Sequence, residues 1–305
     1  MQQAPAWHQH RPPCRGTGGA DKSGKRNLGR APLAWCDGGV ALAGGEVPSP
    51  PAGHADRTRR ADRGRVGLIF VGEMYGVQID QLALVLGLTP RRAAAVVARW
   101  RAAGTAEAAV LSPGPRWVWL TRAGLASCGL RYSPGAPGLS RLAHLRAVTA
   151  VRLAFMSAPQ FAGGGAYWRS ERRLRARMGG RIGQREHVPD AEVHWPDATA
   201  LPWAGECWAI EAELTPKTAA RTVTIMRELL TRTGDYGCRA ADVQVPGHPA
   251  RHARAVYLRS PAAAPVVSRA RAFLGALGAR VEIRILPDGA ALPGASAAER
   301  QEHWR

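Results

Sequence analysis

The chain has 305 residues, with 42 Lys and Arg against 23 Asp and Glu, a formal net charge of +19. Its length suits two modest domains with tails, and 46% hydrophobic residues suffice for real cores. No apolar run approaches the roughly 18 residues of a membrane span. The basic N-terminus lacks the apolar segment of a secretory signal. Five cysteines without a C-x-x-C pair speak against a disulfide framework or a structural zinc. These features suggest a cytoplasmic protein with reduced thiols. Self-repulsion this large is most easily tolerated beside a polyanion, so nucleic acid is the leading expected partner, with an anionic membrane surface the weaker option. Ala, Arg, Gly and Pro dominate as a GC-rich genome would impose, so a single arginine weighs little.

Residues 1–62 are rich in Pro, Gly, Arg and Ala without periodicity and read as a disordered basic arm; a passive tail or an over-extended start is the alternative. Residues 63–132 read as a winged helix-turn-helix. Apolar residues from Val66 to Tyr75 have helical spacing, and Gly76–Ile79 breaks it. Asp80–Leu86 is a short helix with Asp80 as its cap. Gly87-Leu-Thr89 makes a tight turn, and Thr89 with Pro90 opens a helix that ends at Gly104. That helix turns Ala93, Val96, Val97 and Trp100 inward and leaves Arg91, Arg92, Arg99 and Arg101 outward, the layout of a recognition helix. Ala109–Leu111 and Arg116–Leu120 flank a Pro/Gly turn as a hairpin wing with Arg116 at its tip, and Thr121 caps another helix.

Ser133–Gly138 reads as a linker to a second domain, 133–290, followed by a flexible tail, 291–305. A long helix is expected over 139–155, carrying His144. From Arg141 to Arg185 there are ten Arg and one acid, Glu171, and 167–178 reads as a basic helix whose Arg172, Arg173 and Arg175 suit a phosphate track, or simply a solvated face. A strand over 187–193 presents Asp190. A second strand, 207–214, places Trp208, Ile210, Ala212 and Leu214 on one face and Glu211 and Glu213 on the other. Lys217 follows at the start of a helix over 218–230. A strand over 255–258, a helix over 265–277 and a strand over 281–286 complete an α/β set. His248-Pro-Ala-Arg-His252 has the spacing of a metal pair, but Pro249 breaks the helix it needs, and it reads as a surface loop.

Hydrolysis of a phosphodiester calls for Mg2+ or Mn2+ held by hard carboxylate oxygens. Asp190 and Glu211 on adjacent strands, with Glu171 as an outer ligand, suit that ion; Glu213 and Lys217 complete the catalytic group. Two Glu at alternate strand positions also suit a solvated face. The pattern Pro189-Asp190, then Glu211-x-Glu213, resembles the PD-(D/E)XK nucleases, with Glu213 where lysine usually stands. The chain from about 66 to 286 also resembles the replication-relaxation family of actinobacterial plasmids and mobile elements. The matching residues are Trp119–Leu125, the His144 helix, Ser170-Glu171-Arg172, His187–Asp190 and Ile210–Lys217. The resemblance implies handling of double-stranded plasmid DNA in replication or relaxation, with plasmid replication or transfer proteins as partners, no membrane partner, and a cytoplasmic place at the nucleoid or plasmid.

The expected fold is therefore a two-domain α+β and α/β chain, a winged helix-turn-helix before a restriction-endonuclease-like domain. Its site is either a Mg2+-dependent endonuclease or a retired one. The rival is a non-catalytic transcriptional regulator whose second domain serves a homodimer or an effector. A third reading is a subunit of a relaxase or integrase complex.

Overall fold

The computed structural model describes residues 52–177, 187–197, 200–232, 251–287 and 289–290, all within one compact unit, Pro50–Arg305. It is a mixed α/β fold with a three-stranded antiparallel sheet and a five-stranded mixed sheet. Residues 1–51 of the expected arm and the tail over 291–305 lie outside the described residues. The helix α1 (Ala52–Glu73) starts earlier than expected, inside that arm, because its Ala and Arg residues favour helix. Its last turns bury Phe70 and Val71.

Tyr75 then adopts a left-handed backbone (φ 63°), and the chain enters β1 (Val77–Gln78) and α2 (Ile79–Leu86). Gly87 ends α2 at φ 60°, a conformation that glycine adopts without a Cβ penalty. The helix α3 (Pro90–Ala102) is capped by the Thr89 side chain, which accepts from the Arg92 amide. Asp80 does not cap α2. Its carboxylate instead takes a two-pronged bond from Arg146, because a buried guanidinium there needs an anion more than the helix end needs a cap.

The strands β2 (Ala106–Ala109) and β3 (Trp117–Leu120) form the hairpin, and β1 adds a third strand beside β3. The first hairpin strand lies three residues before its expected start, because Ala106–Ala109 pairs with Leu120–Trp117. In α4 (Arg122–Ser127), Thr121 is the cap, and Gly124 lies so close to the Thr105 carbonyl that a Cβ would stand 1.9 Å from its oxygen.

A 3-10 turn (Leu139–Arg141) leads into α5 (Leu142–Ser157) and the short α6 (Pro159–Gly163). The chain then forms β4 (Tyr167–Ser170), α7 (Glu171–Arg177), β5 (Ala191–His194), β6 (Cys207–Glu213), α8 (Ala219–Thr231), β7 (Arg254–Arg259), α9 (Ala264–Ala272) and β8 (Val281–Ile285). The basic helix expected over 167–178 is thus split. Its first four residues pair with β5 as a strand, burying Trp168 and Ser170.

The large sheet runs β4-β5-β6-β7-β8, antiparallel as far as β6 and parallel from there. One face carries Trp208, Ile210 and Val256 against Val151 and Phe155 of α5. The other carries Ala209, Ala255 and Tyr257 against Ile225 and Leu229 of α8 and Val267 of α9.

The same buried cluster that contains Phe70, Leu82 and Trp100 also contains Val148, Trp168 and Ile210, so the helical layer and the sheet share a core. Trp117 packs on Leu142 and Leu145 of α5. Arg172 is buried between the rings of Tyr75 and Tyr132, and its guanidinium donates to the carbonyls of Gly72 (2.7 Å) and Ser133 (2.5 Å). The segment read as a linker is thereby tied down at Ser133. Among the described residues, no single helix is long and apolar enough to cross a membrane.

Candidate functional site

The sheet brings Asp190, Glu211 and Glu213 together. The pairing of Ala191 with Ile210 places Asp190, one residue before β5, beside Glu211 on β6. The Asp190 carboxylate accepts from the Ala212 amide (2.8 Å) and is bonded to Nε2 of His144 on α5 (2.8 Å). Glu211 is bonded to Nε2 of His187 (2.7 Å), and Glu213 to the Lys217 ammonium (2.6 Å). All three carboxylates are shielded from solvent, while Lys217 stands exposed at the rim.

Clustered buried acids repel, and the electrostatics show how the site absorbs this. Burial alone would raise the Asp190 carboxyl, but the charge and hydrogen bond of His144, with the Ala212 amide, hold it below its usual value. Burial pushes Glu211 up, against the opposing pull of His187, and Asp190 adds to the rise. Burial works against protonation of His144 and His187, yet the adjoining carboxylates prevail and both imidazoles are shifted upward.

The three acids offer hard carboxylate oxygens in a shielded place, each already bonded to a histidine or lysine side chain; among the described residues their donor atoms do not form a group within 4.8 Å of one another. Beside Glu211 on the neighbouring strand stands Tyr257, whose hydroxyl is buried and has no hydrogen-bond partner among the described residues. Such an orphan costs about 1–3 kcal/mol unless something beyond the described residues meets it.

Glu171 lies next to this group, since its amide donates to the Asp190 carbonyl (3.0 Å). Its carboxylate oxygens are each taken by a guanidinium, Arg141 and Arg175 at 2.7 Å, so as an outer ligand it would have to exchange them. A cavity of about 10 Å³, one water's worth of space, lies between Tyr75, His144, Glu171 and Asp190.

The expected phosphate track needs correction at Arg172, which is turned inward as the strut described above. Arg173 faces Glu73 (3.7 Å) and Arg175 pairs with Glu171, both about two-fifths exposed or less. On α3, Arg91, Arg92, Arg99 and Arg101 are all exposed, interleaved with exposed Ala94, Ala95, Ala98 and Ala102. Arg116 is exposed at the hairpin.

A second polar cluster escaped the sequence reading. Glu192, fully buried, is bonded by Arg169 (3.1 Å), His194 (2.8 Å), His252 (3.0 Å) and both prongs of Arg251 (2.7 and 2.9 Å). These hydrogen bonds outweigh the effect of burial and hold its carboxyl well below the usual range. His252, expected on a surface loop, is fully buried and also bonds the Leu229 carbonyl (2.9 Å). Glu192, Cys207 and His252 have donor atoms within 4.8 Å of one another, as a metal site would. Two guanidiniums on the one carboxylate argue instead for a charge-balanced structural hub, since a dication would add to positive charge already present. The sequence signal for this hub was Glu192 and His194 on the Asp190 face of β5, two and four residues on.

The chain matches no protein-family profile, no curated protein and no solved structure.

Proposed function

We propose that the chain is a DNA-binding protein of replication-relaxation type, with a winged helix-turn-helix over 63–132 and a PD-(D/E)XK-like phosphodiester site on the large sheet. The observation that carries this reading is the convergence of Asp190, Glu211 and Glu213, with Lys217, at one end of β5 and β6. The exposed arginine and alanine face of α3 supports the DNA partner, because small side chains let the helix approach a groove while arginines reach phosphates and base edges.

In this reading Asp190 and Glu211 would hold Mg2+ or Mn2+, with Glu213 close by, and the ion would supply Lewis acidity and a lowered pKa for water. The chain's own residues do the rest. Lys217, anchored on Glu213 at the exposed rim, meets a phosphate oxygen. His144 and His187, each bonded to one of the acids, keep the carboxylates oriented. Hydrolysis adds water across one P–O ester bond, leaving a phosphomonoester and a free hydroxyl.

Supercoiled plasmid incubated with Mg2+ or Mn2+ tests this. Nicking or linearisation by the natural chain and none by Asp190→Ala is the expected result. Absence of cleavage, with both proteins still shifting DNA on a gel, leaves a binding protein on a retired scaffold. The rival regulator reading is favoured by that second outcome together with loss of the shift in Arg91→Ala and Arg92→Ala.

A further inference from the structure

The β7 strand lies next to the acid-bearing β6, and their parallel register sets Tyr257 directly opposite Glu211 and Arg259 opposite Glu213. Paired residues of neighbouring strands share a face. The tyrosine therefore stands on the acid side of the sheet, with its ring 1% exposed and packed with Met226 and Val267. That packing fixes the ring, so the hydroxyl cannot swing out to solvent. It nevertheless meets no acceptor or donor among the described residues. A packed ring needs no oxygen; phenylalanine would fill the same space without an orphan. Among the described residues, then, nothing accounts for the hydroxyl.

We infer that Tyr257 is a positioning residue of the acid site: its hydroxyl holds a water against the Glu211 carboxylate, where a hydrated divalent cation brings its water shell. The inference rests on the acid-site reading above and deepens it. The surrounding electrostatics agree, because burial first, and then the charges of Glu211, Glu213 and Asp190, keep the phenol protonated and able to donate. Donation from the phenol to a water frees that water's own protons for the carboxylates. Residues that orient a cation's ligands in this way typically contribute 10- to 100-fold to its affinity.

The test compares the natural chain with Tyr257→Phe, which removes one oxygen and leaves the ring. Mn2+ is titrated alone and followed by the loss of its free-ion paramagnetic resonance signal, and thermal unfolding is recorded in chelator. The expected result is Mn2+ affinity weakened about 10- to 100-fold in Tyr257→Phe, with a melting temperature in chelator equal to or above that of the natural chain. Equal Mn2+ affinity in the two proteins overturns the inference while leaving the acid site standing. A lower melting temperature of Tyr257→Phe in chelator overturns it too, by showing an internal hydrogen bond. No Mn2+ binding by the natural chain overturns the acid site itself, and the inference with it.

Discussion

Arginine plays opposite parts in the two layers of this molecule. On α3, Arg91, Arg92, Arg99 and Arg101 are exposed and make no ion pair among the described residues. Against the large sheet and at its junction with the helices, Arg146, Arg169 and Arg172 are buried and bonded to carboxylates or carbonyls. Arg152, largely buried over the Phe70 ring near Glu73, has its pKa pulled down to about 10 by burial. A count of basic residues treats these groups alike. Burial and partners separate them: the first group is available to a polyanion, and the second is consumed in holding the fold.

The sharpest way to break this contrast is Glu192→Ala. Removing the hub leaves Arg169, Arg251 and His252 around an empty centre. Stripping one partner from a buried charge group costs about 3–5 kcal/mol, and urea unfolding should show a loss of that order. A loss under about 1 kcal/mol, the scale of an exposed pair, would mean that the sheet-side arginines are not structural after all.

Arg91→Ala and Arg92→Ala probe the other half. Each should leave stability within about 0.5 kcal/mol of the natural chain. Each should also reduce the slope of log affinity for DNA against log salt by about one. Unchanged affinity and slope in both would remove α3 from the interface.

The smallest effect concerns pH. His144 and His187 are raised in the folded chain, so their pairing stabilises it fully below their ordinary value of 6.5 and is lost as pH climbs through the raised value. Unfolding midpoints in chelator should therefore fall as pH increases above about 6.5. In His144→Gln and His187→Gln that fall should flatten. A midpoint that rises over the same window would contradict the pairing.

Much of this was legible locally. Thr89, Pro90 and Gly104 bracket α3, and Thr121 caps α4, because caps and breakers act within a turn or two of chain. Alternation along 207–213 located Glu211 and Glu213 on one face, since a strand's period of two is written in consecutive residues. What escaped depended on distant partners. The arginines around Trp168 suggested a helix, but β5, more than twenty residues on, makes that segment a strand. Asp80 looked like a cap until Arg146, 66 residues away, claimed it. His252 looked like loop because nothing nearby announces Glu192, 60 residues earlier. Tyr257 drew no notice in an apolar run, and only the strand register sets it beside an acid.

The strut made by Arg172 has a geometric corollary. By gripping the Gly72 carbonyl at the end of α1 and the Ser133 carbonyl in the connecting segment, it denies the helical layer the swing of a tethered module. The offset between the helix proposed to read DNA and the acids proposed to cut it is then a constant of the fold. Under that function the molecule works as a gauge, and any strand break falls at a set number of base pairs from the sequence that is read.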